Sequence, residues 1–300
     1  FLSQEPYWDE VNFWSPSDFY AFHGTPGAPY LFKLKAPHNA IGGFGIYSRF
    51  DKLPDWLAWE CFQSGNGART FADFQARLDG LRTANQLRGG AAIKQIGCTI
   101  LTDVVFFPRE LWVPQPADWG RQNLRYTRYD LSAGEGRRVW EACQANALAL
   151  AIARTGDSAH TVPLAAAERF GAPVLVRPRL GQGGFRAAVT HAYSRACAVT
   201  QEHSLPVLEA AHIKSYAAQG PHDVANGLLL RSDLHRLFDK GYLTVTTDLQ
   251  LEVSGRLKED YSNGRSYYPL HGQAITGPAD SRCAPSAEFL RWHNDNVFRA

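Results

Sequence analysis

Two histidines and a carboxylate in the second half of the chain fall at spacings that could support hydrolytic chemistry. Leu205-Pro-Val-Leu-Glu-Ala-Ala-His-Ile213 reads as a strand ending in His212. Asn226, fourteen residues on, heads the apolar run Gly227-Leu-Leu-Leu-Arg231, a second strand. Ser232 reads as the N-cap of the next helix, with Asp233 in its first turn. That helix, Asp233 to Asp239, stops at Lys240-Gly241, a basic residue and a glycine in the places a helix end favours. His235 and Asp239 are four apart on it and share one face. Strand, loop, strand and helix thus carry His212, His235 and Asp239 towards one point. Two imidazoles and a carboxylate suit one divalent cation and one general base. Hydrolysis of a phosphodiester needs both, a base to deprotonate water and a cation to stabilise charge on the leaving oxygen. Histidine is a natural base because its ordinary pKa lies near neutrality.

The elements that must position these residues form the second of two expected domains. Three hundred residues is long for one core. Seven of the eight tryptophans lie before residue 141, which marks off a separate N-terminal region. There, Tyr30 to Lys35 alternates as a half-buried strand. Gly42 to Phe50 reads as a strand after a Gly-Gly bend, and Cys98 to Phe107 as a buried strand. Leu53 to Phe62, Thr70 to Leu81 and Gly134 to Arg154 read as helices. Thr155 to Pro163 is small, polar and closed by proline, as a linker is. The expected division is 1–155, a mixed α/β domain with a small twisted sheet, and 164–300, giving an α+β protein.

Composition is that of an ordinary globular protein, 45% hydrophobic and 20% charged, with a net charge of +2. Arg169, Arg177, Arg179, Arg186 and Arg195 nevertheless fall in a stretch without Asp or Glu between Glu168 and Glu202. Such an excess either pairs with phosphates or forms a solvated face. The five cysteines are scattered and form no CxxC pair, which points to a reducing cytoplasm rather than a disulfide framework. No apolar run is long enough for a membrane span and no signal peptide is visible, so no membrane role is expected. The chain opens on Phe1 and holds no methionine, so further residues are expected to precede it.

Glu209-Ala-Ala-His-Ile213, Asn226 to His235, and Arg236-Leu-Phe-Asp-Lys-Gly241 resemble the HNH, or ββα-metal, endonuclease family, in its bacterial putative restriction endonuclease branch. Cys197-Ala-Val-Thr and the flanks Arg179 to Arg186 and Glu288 to His293 extend the likeness. The resemblance implies that His212 is the general base and that Asn226 bonds backbone to hold the loop that aims it. It implies that His235 is a metal ligand, for magnesium or manganese. The family often places another ligand directly before the base, where this chain has Ala211. Asp239 is one candidate substitute, and Glu209, two residues before Ala211 on the same strand face, is the other. Either could instead be a packing or helix-end residue. Some relatives bind zinc through a CxxC beginning at the position of Cys197, but Thr200 stands in the second place, so no structural zinc is expected. Arg177, Arg179, Gln182, Arg186 and Arg195, just upstream, are the candidate contacts to DNA phosphates.

The N-terminal region faintly resembles PUA-like readers of the EVE and SRA type, which implies selection of double-stranded DNA, with modified cytosine a candidate mark. Trp14, Ser15, His38, Asn39 and Tyr47 are the candidate base-pocket residues, placed in or beside turn-rich segments. The function expected is modification-dependent restriction, with a homodimer the simplest route to a double-strand break. The rival expectations are a DNA- or RNA-binding protein with an inactive core, and a broad nuclease whose first domain serves assembly.

Overall fold

The computed structural model describes residues 1–17, 22–84, 95–120, 126–155 and 181–300. The chain divides into two compact units, Phe1–Pro178 and Arg179–Ala300. In the first, the strands are β1 (Tyr7–Ser15), β2 (Pro29–Lys33), β3 (Ala40–Leu53), β4 (Ile96–Phe106) and β5 (Val113–Pro114). They form one antiparallel sheet in the order β1-β4-β3-β2, with the short β5 also paired to β3. Helices α1 (Asp55–Phe62) and α2 (Phe71–Ala84) sit between β3 and β4 in sequence, and α3 (Gly134–Thr155) follows β5.

The sheet has apolar matter to bury on more than one side. Val139, Trp140 and Cys143 of α3 close over Ile41, Phe44 and Val105, with Trp140 edge-on to Phe44 at 5.0 Å. A polar knot ties β1 to the loop after α1. Asn12 donates to Asn66 at 2.9 Å, and Asn66 donates to the carbonyls of Ala58 and Gln63 at 3.0 Å.

Two features differ from the sequence expectation. The glycines read as a bend lie inside β3, which begins at Ala40. Gly43 is there because β4 passes so close that a Cβ would fall on the Val105 carbonyl oxygen. The aromatic segment Tyr7–Ser15, not assigned from its pattern, is the strand at one end of the sheet.

In the second unit, α4 (Gln182–Ala192) precedes β6 (Leu208–His212), which pairs antiparallel with β7 (Gly227–Arg231). Helix α5 (Ser232–Asp239) follows directly, then the hairpin β8 (Leu243–Val245) and β9 (Leu251–Val253), α6 (Arg256–Tyr261) and α7 (Ala287–Asn296). Phe185 and Val189 of α4, Ala211, Leu228, Leu229, Leu234 and Phe238 belong to one buried cluster. Ala211 and Leu234 are fully buried, so apolar periodicity fixes which faces of strand and helix turn inward. Ser232 is the first helical residue and Arg231 takes the cap position, without a side-chain capping bond. Arg231 is instead held in a fork by Asp233, at 2.7 and 2.8 Å. No helix among the described residues is long and apolar enough to cross a membrane.

Candidate active site

His212 is the last residue of β6, opposite Gly227 of β7. Its imidazole lies against the Phe185 ring, with centroids 3.8 Å apart and planes 14° from parallel. Its Nε2 stands 3.0 Å from Nδ1 of His222. Burial first, then the neighbouring His222 and His235, pull the His212 pKa down to about 4. The ring is therefore neutral at physiological pH and able to accept a proton.

The loop from β6 to β7 is held by Asn226, which is fully buried. Its Oδ1 accepts from the Lys214 amide at 2.8 Å, and its Nδ2 donates to the carbonyls of Lys214 and Pro221, each at 2.9 Å. One amide thus closes both ends of the loop. Gly220 lies inside this closure, where a Cβ would strike the Lys214 carbonyl oxygen.

His235 projects from α5 between two carboxylates. Its Nδ1 lies 2.6 Å from Glu209 Oε2, and its Nε2 lies 3.3 Å from Asp239 Oδ2. Burial raises the Asp239 carboxyl pKa, while His235 opposes that shift. A carboxylate bound to one imidazole nitrogen fixes the ring and its tautomer, leaving the other nitrogen for a cation. Nε2 of His235 and the exposed Asp239 carboxylate form a nitrogen and oxygen pair of the kind divalent cations accept. Among the described residues, no group of three or more His, Cys, Asp or Glu side chains is disposed to hold a metal. The donor set that fits a cation is thus small, with Glu209 oriented towards the histidine.

The structure therefore gathers Glu209, His235 and Asp239 in one cluster and couples His212 electrostatically to His235. His222 was not singled out from sequence. The available signal was a second histidine in the loop that leads away from His212. Cys197 is fully buried and accepts the Arg231 amide on its sulfur at 3.3 Å.

The upstream candidates for DNA contact divide. Arg177 and Arg179 lie outside the described residues. Gln182 opens α4 and is exposed, whereas Arg186 and Arg195 are half-buried and each holds an interaction within the chain.

The five base-pocket candidates do not converge. Trp14 lies one residue before the end of β1, with its indole N–H on the Asn66 carbonyl at 2.8 Å and its ring edge-on to Phe74. Ser15 donates to the Ser17 carbonyl at 2.7 Å. Tyr47 is a core residue within β3, its hydroxyl on the Phe22 carbonyl at 3.3 Å. His38 and Asn39 are exposed in the β2–β3 turn, His38 against Trp112 and Asn39 near Lys33. Of the five, expected in or beside turn-rich segments, Trp14 and Ser15 lie at the end of β1 beside the bend at 16–17, whereas Tyr47 lies inside β3 because its aromatic and glycine neighbours belong to that strand. The large cavity of this unit, about 1120 Å³, is lined by Phe13, Trp14, Tyr30, Trp112, Trp119 and Tyr126 among others, and of the five candidates only by Trp14.

Residues 197–246 match the HNH endonuclease family, a span that holds β6, β7, α5 and β8. That segment of the C-terminal unit is similar to the HNH endonuclease family, and it carries His212, Asn226 and His235 together. Among solved structures, a modification-dependent TagI restriction endonuclease aligns at 23% identity over 38% of this chain, with a TM-score of 0.28. The aligned part is 37% of that protein. No curated protein matches the chain.

Proposed function

We propose that the chain is a metal-dependent DNA endonuclease of the restriction type, with phosphodiester hydrolysis in the C-terminal unit and choice of DNA in the N-terminal unit. One observation carries the reading. A neutral, partly buried His212 lies in an HNH segment beside a histidine flanked by two carboxylates. In this account His212 takes the proton from the attacking water. Glu209 orients His235, and His235 with Asp239 would hold magnesium or manganese. That ion would stabilise the charge that develops on the scissile phosphate and the leaving oxygen. Asn226 keeps the loop closed so that His212 keeps its aim.

For the N-terminal unit, the aromatic cavity supports contact with a base, because exposed rings such as Phe13 and Tyr126 offer faces for stacking. Lys33, whose ammonium lies 5.0 Å over the Trp119 ring, adds a cation at the same cavity. Modified cytosine in double-stranded DNA is the mark proposed. The test is cleavage of one plasmid prepared with and without cytosine modification, in magnesium and in manganese. Cutting confined to modified plasmid supports the whole reading. Equal cutting of both keeps the nuclease and removes the mark.

A second reading draws on Ala211, whose fully buried methyl leaves no ligand before the base. On that reading the chain binds DNA through an inactive core, and neither plasmid is cut in any metal.

A further inference from the structure

We propose that His222 is a positioning residue for His212. Its Nδ1 accepts the His212 Nε2–H and so reserves the His212 Nδ1 lone pair for the attacking water. The inference rests on the reading of His212 as general base.

The two ring nitrogens are 3.0 Å apart, a hydrogen-bond distance that requires one donor and one acceptor. Burial favours the neutral form of both rings, so a single proton lies between them. Two arrangements satisfy that count. If His222 donated, His212 would carry its own proton on Nδ1 and have no lone pair left for water. If His212 donates, Nδ1 is the bare nitrogen. His212 Nδ1 makes no hydrogen bond to any described residue. A lone pair without a partner is better tolerated in a partly buried site than an orphaned N–H, which favours the second arrangement. On proton transfer the water O–H bond breaks and His212 Nδ1 gains the proton. The positive charge is then shared through Nε2–H to His222 Nδ1.

His222 is itself held in place. The Tyr216 ring is stacked on it at 4.9 Å and 12°, and Phe185 touches both imidazoles, at 3.8 Å from His212 and 5.8 Å from His222. The preceding residue, Pro221, is gripped through its carbonyl by Asn226. The motif asparagine therefore reaches the base by way of His222, through a loop residue that no spacing rule marks.

The test uses the full chain labelled with nitrogen-15 at histidine. Long-range proton–nitrogen spectra report which nitrogen of His212 carries the proton, with His212→Gln and His222→Asn used for assignment. The wild type is expected to show His212 protonated at Nε2. In His222→Phe that preference is lost and kcat on plasmid falls roughly tenfold or more at unchanged KM. His222→Asn places an amide oxygen where Nδ1 stands, restoring both the tautomer and most of kcat. A wild-type His212 protonated at Nδ1 overturns the proposal, as does a tautomer and kcat unmoved in His222→Phe. If His222→Phe does not fold, His222→Asn and the wild-type spectrum still decide. A wild type that cuts nothing defeats the nuclease reading, whereas the spectra separately decide the role of His222.

Discussion

In the proposed function His212 does the chemistry and Asn226 sets its aim, and each role makes its own prediction. Because burial and the neighbouring imidazoles hold His212 near 4, its neutral form persists as pH falls well below the usual histidine value. Cleavage measured at saturating metal should therefore keep its rate from pH 7 to about 5 and decline only below that. An acid limb centred near 6.5 would contradict the environment described for the ring. Asn226 makes three hydrogen bonds inside a closed loop, and Asn226→Ala would leave its part-buried backbone partners without that amide. A loss of roughly 2–4 kcal/mol in urea unfolding is expected, together with loss of cleavage. Asn226→Asp should not rescue, since both carbonyls it would face need a donor.

At the scale of elements, α5 presents His235 and Asp239, and α7 holds α5 from behind. His293 of α7 stacks on Phe238 at 3.7 Å, donates from Nε2 to the Phe238 carbonyl, and sets Nδ1 2.8 Å from the Thr244 hydroxyl. Burial pulls its pKa down to about 4. The unfolded chain then binds protons between pH 6.5 and 4 that the folded chain refuses, so this stability is complete above about 6.5 and is lost as pH falls towards 4. The loss from His293 alone should be about 2 kcal/mol between pH 7 and 5. His212 and His222, also held low by burial but more open to solvent, add smaller shares, so His293→Gln should clearly flatten the acid slope of urea stability in the C-terminal unit. An unchanged slope would contradict the burial of a neutral His293.

Much of this arrangement was legible beforehand. Gly227–Arg231 is the strand its apolar run announced, and His235 with Asp239 share a helix face at the spacing of four. Local signals failed where partners distant in sequence decide. Ser232 reads as a cap, but it is the first helical residue, with Arg231 in the cap position and forked to Asp233. His222 has no periodic context, and its partner becomes visible only once β6 and the loop fold back together. Tyr47 sits among aromatic and glycine residues that resemble a turn, and β4 draws the whole stretch into the sheet.

For the whole molecule, the two units carry different tasks in the account. Phosphate contacts position a duplex without reading its sequence. Under the proposed function, discrimination is therefore assigned to the N-terminal unit and its aromatic cavity. Trp119→Ala or Tyr126→Ala should bring the ratio of cutting rates on modified and plain plasmid to about one, read by competition in a single tube. A ratio that survives both changes would move recognition away from the cavity.

Hydrolysis of DNA by His212 beside a cation held at His235 is read out by nicking of supercoiled plasmid bearing modified cytosine, by the wild type and by His212→Ala, each in magnesium, in manganese and in chelator. Metal-dependent nicking by the wild type, abolished by chelator, is expected, with a fall of at least about a hundredfold in His212→Ala. Equal nicking by the two proteins, or nicking that persists in chelator, would contradict it.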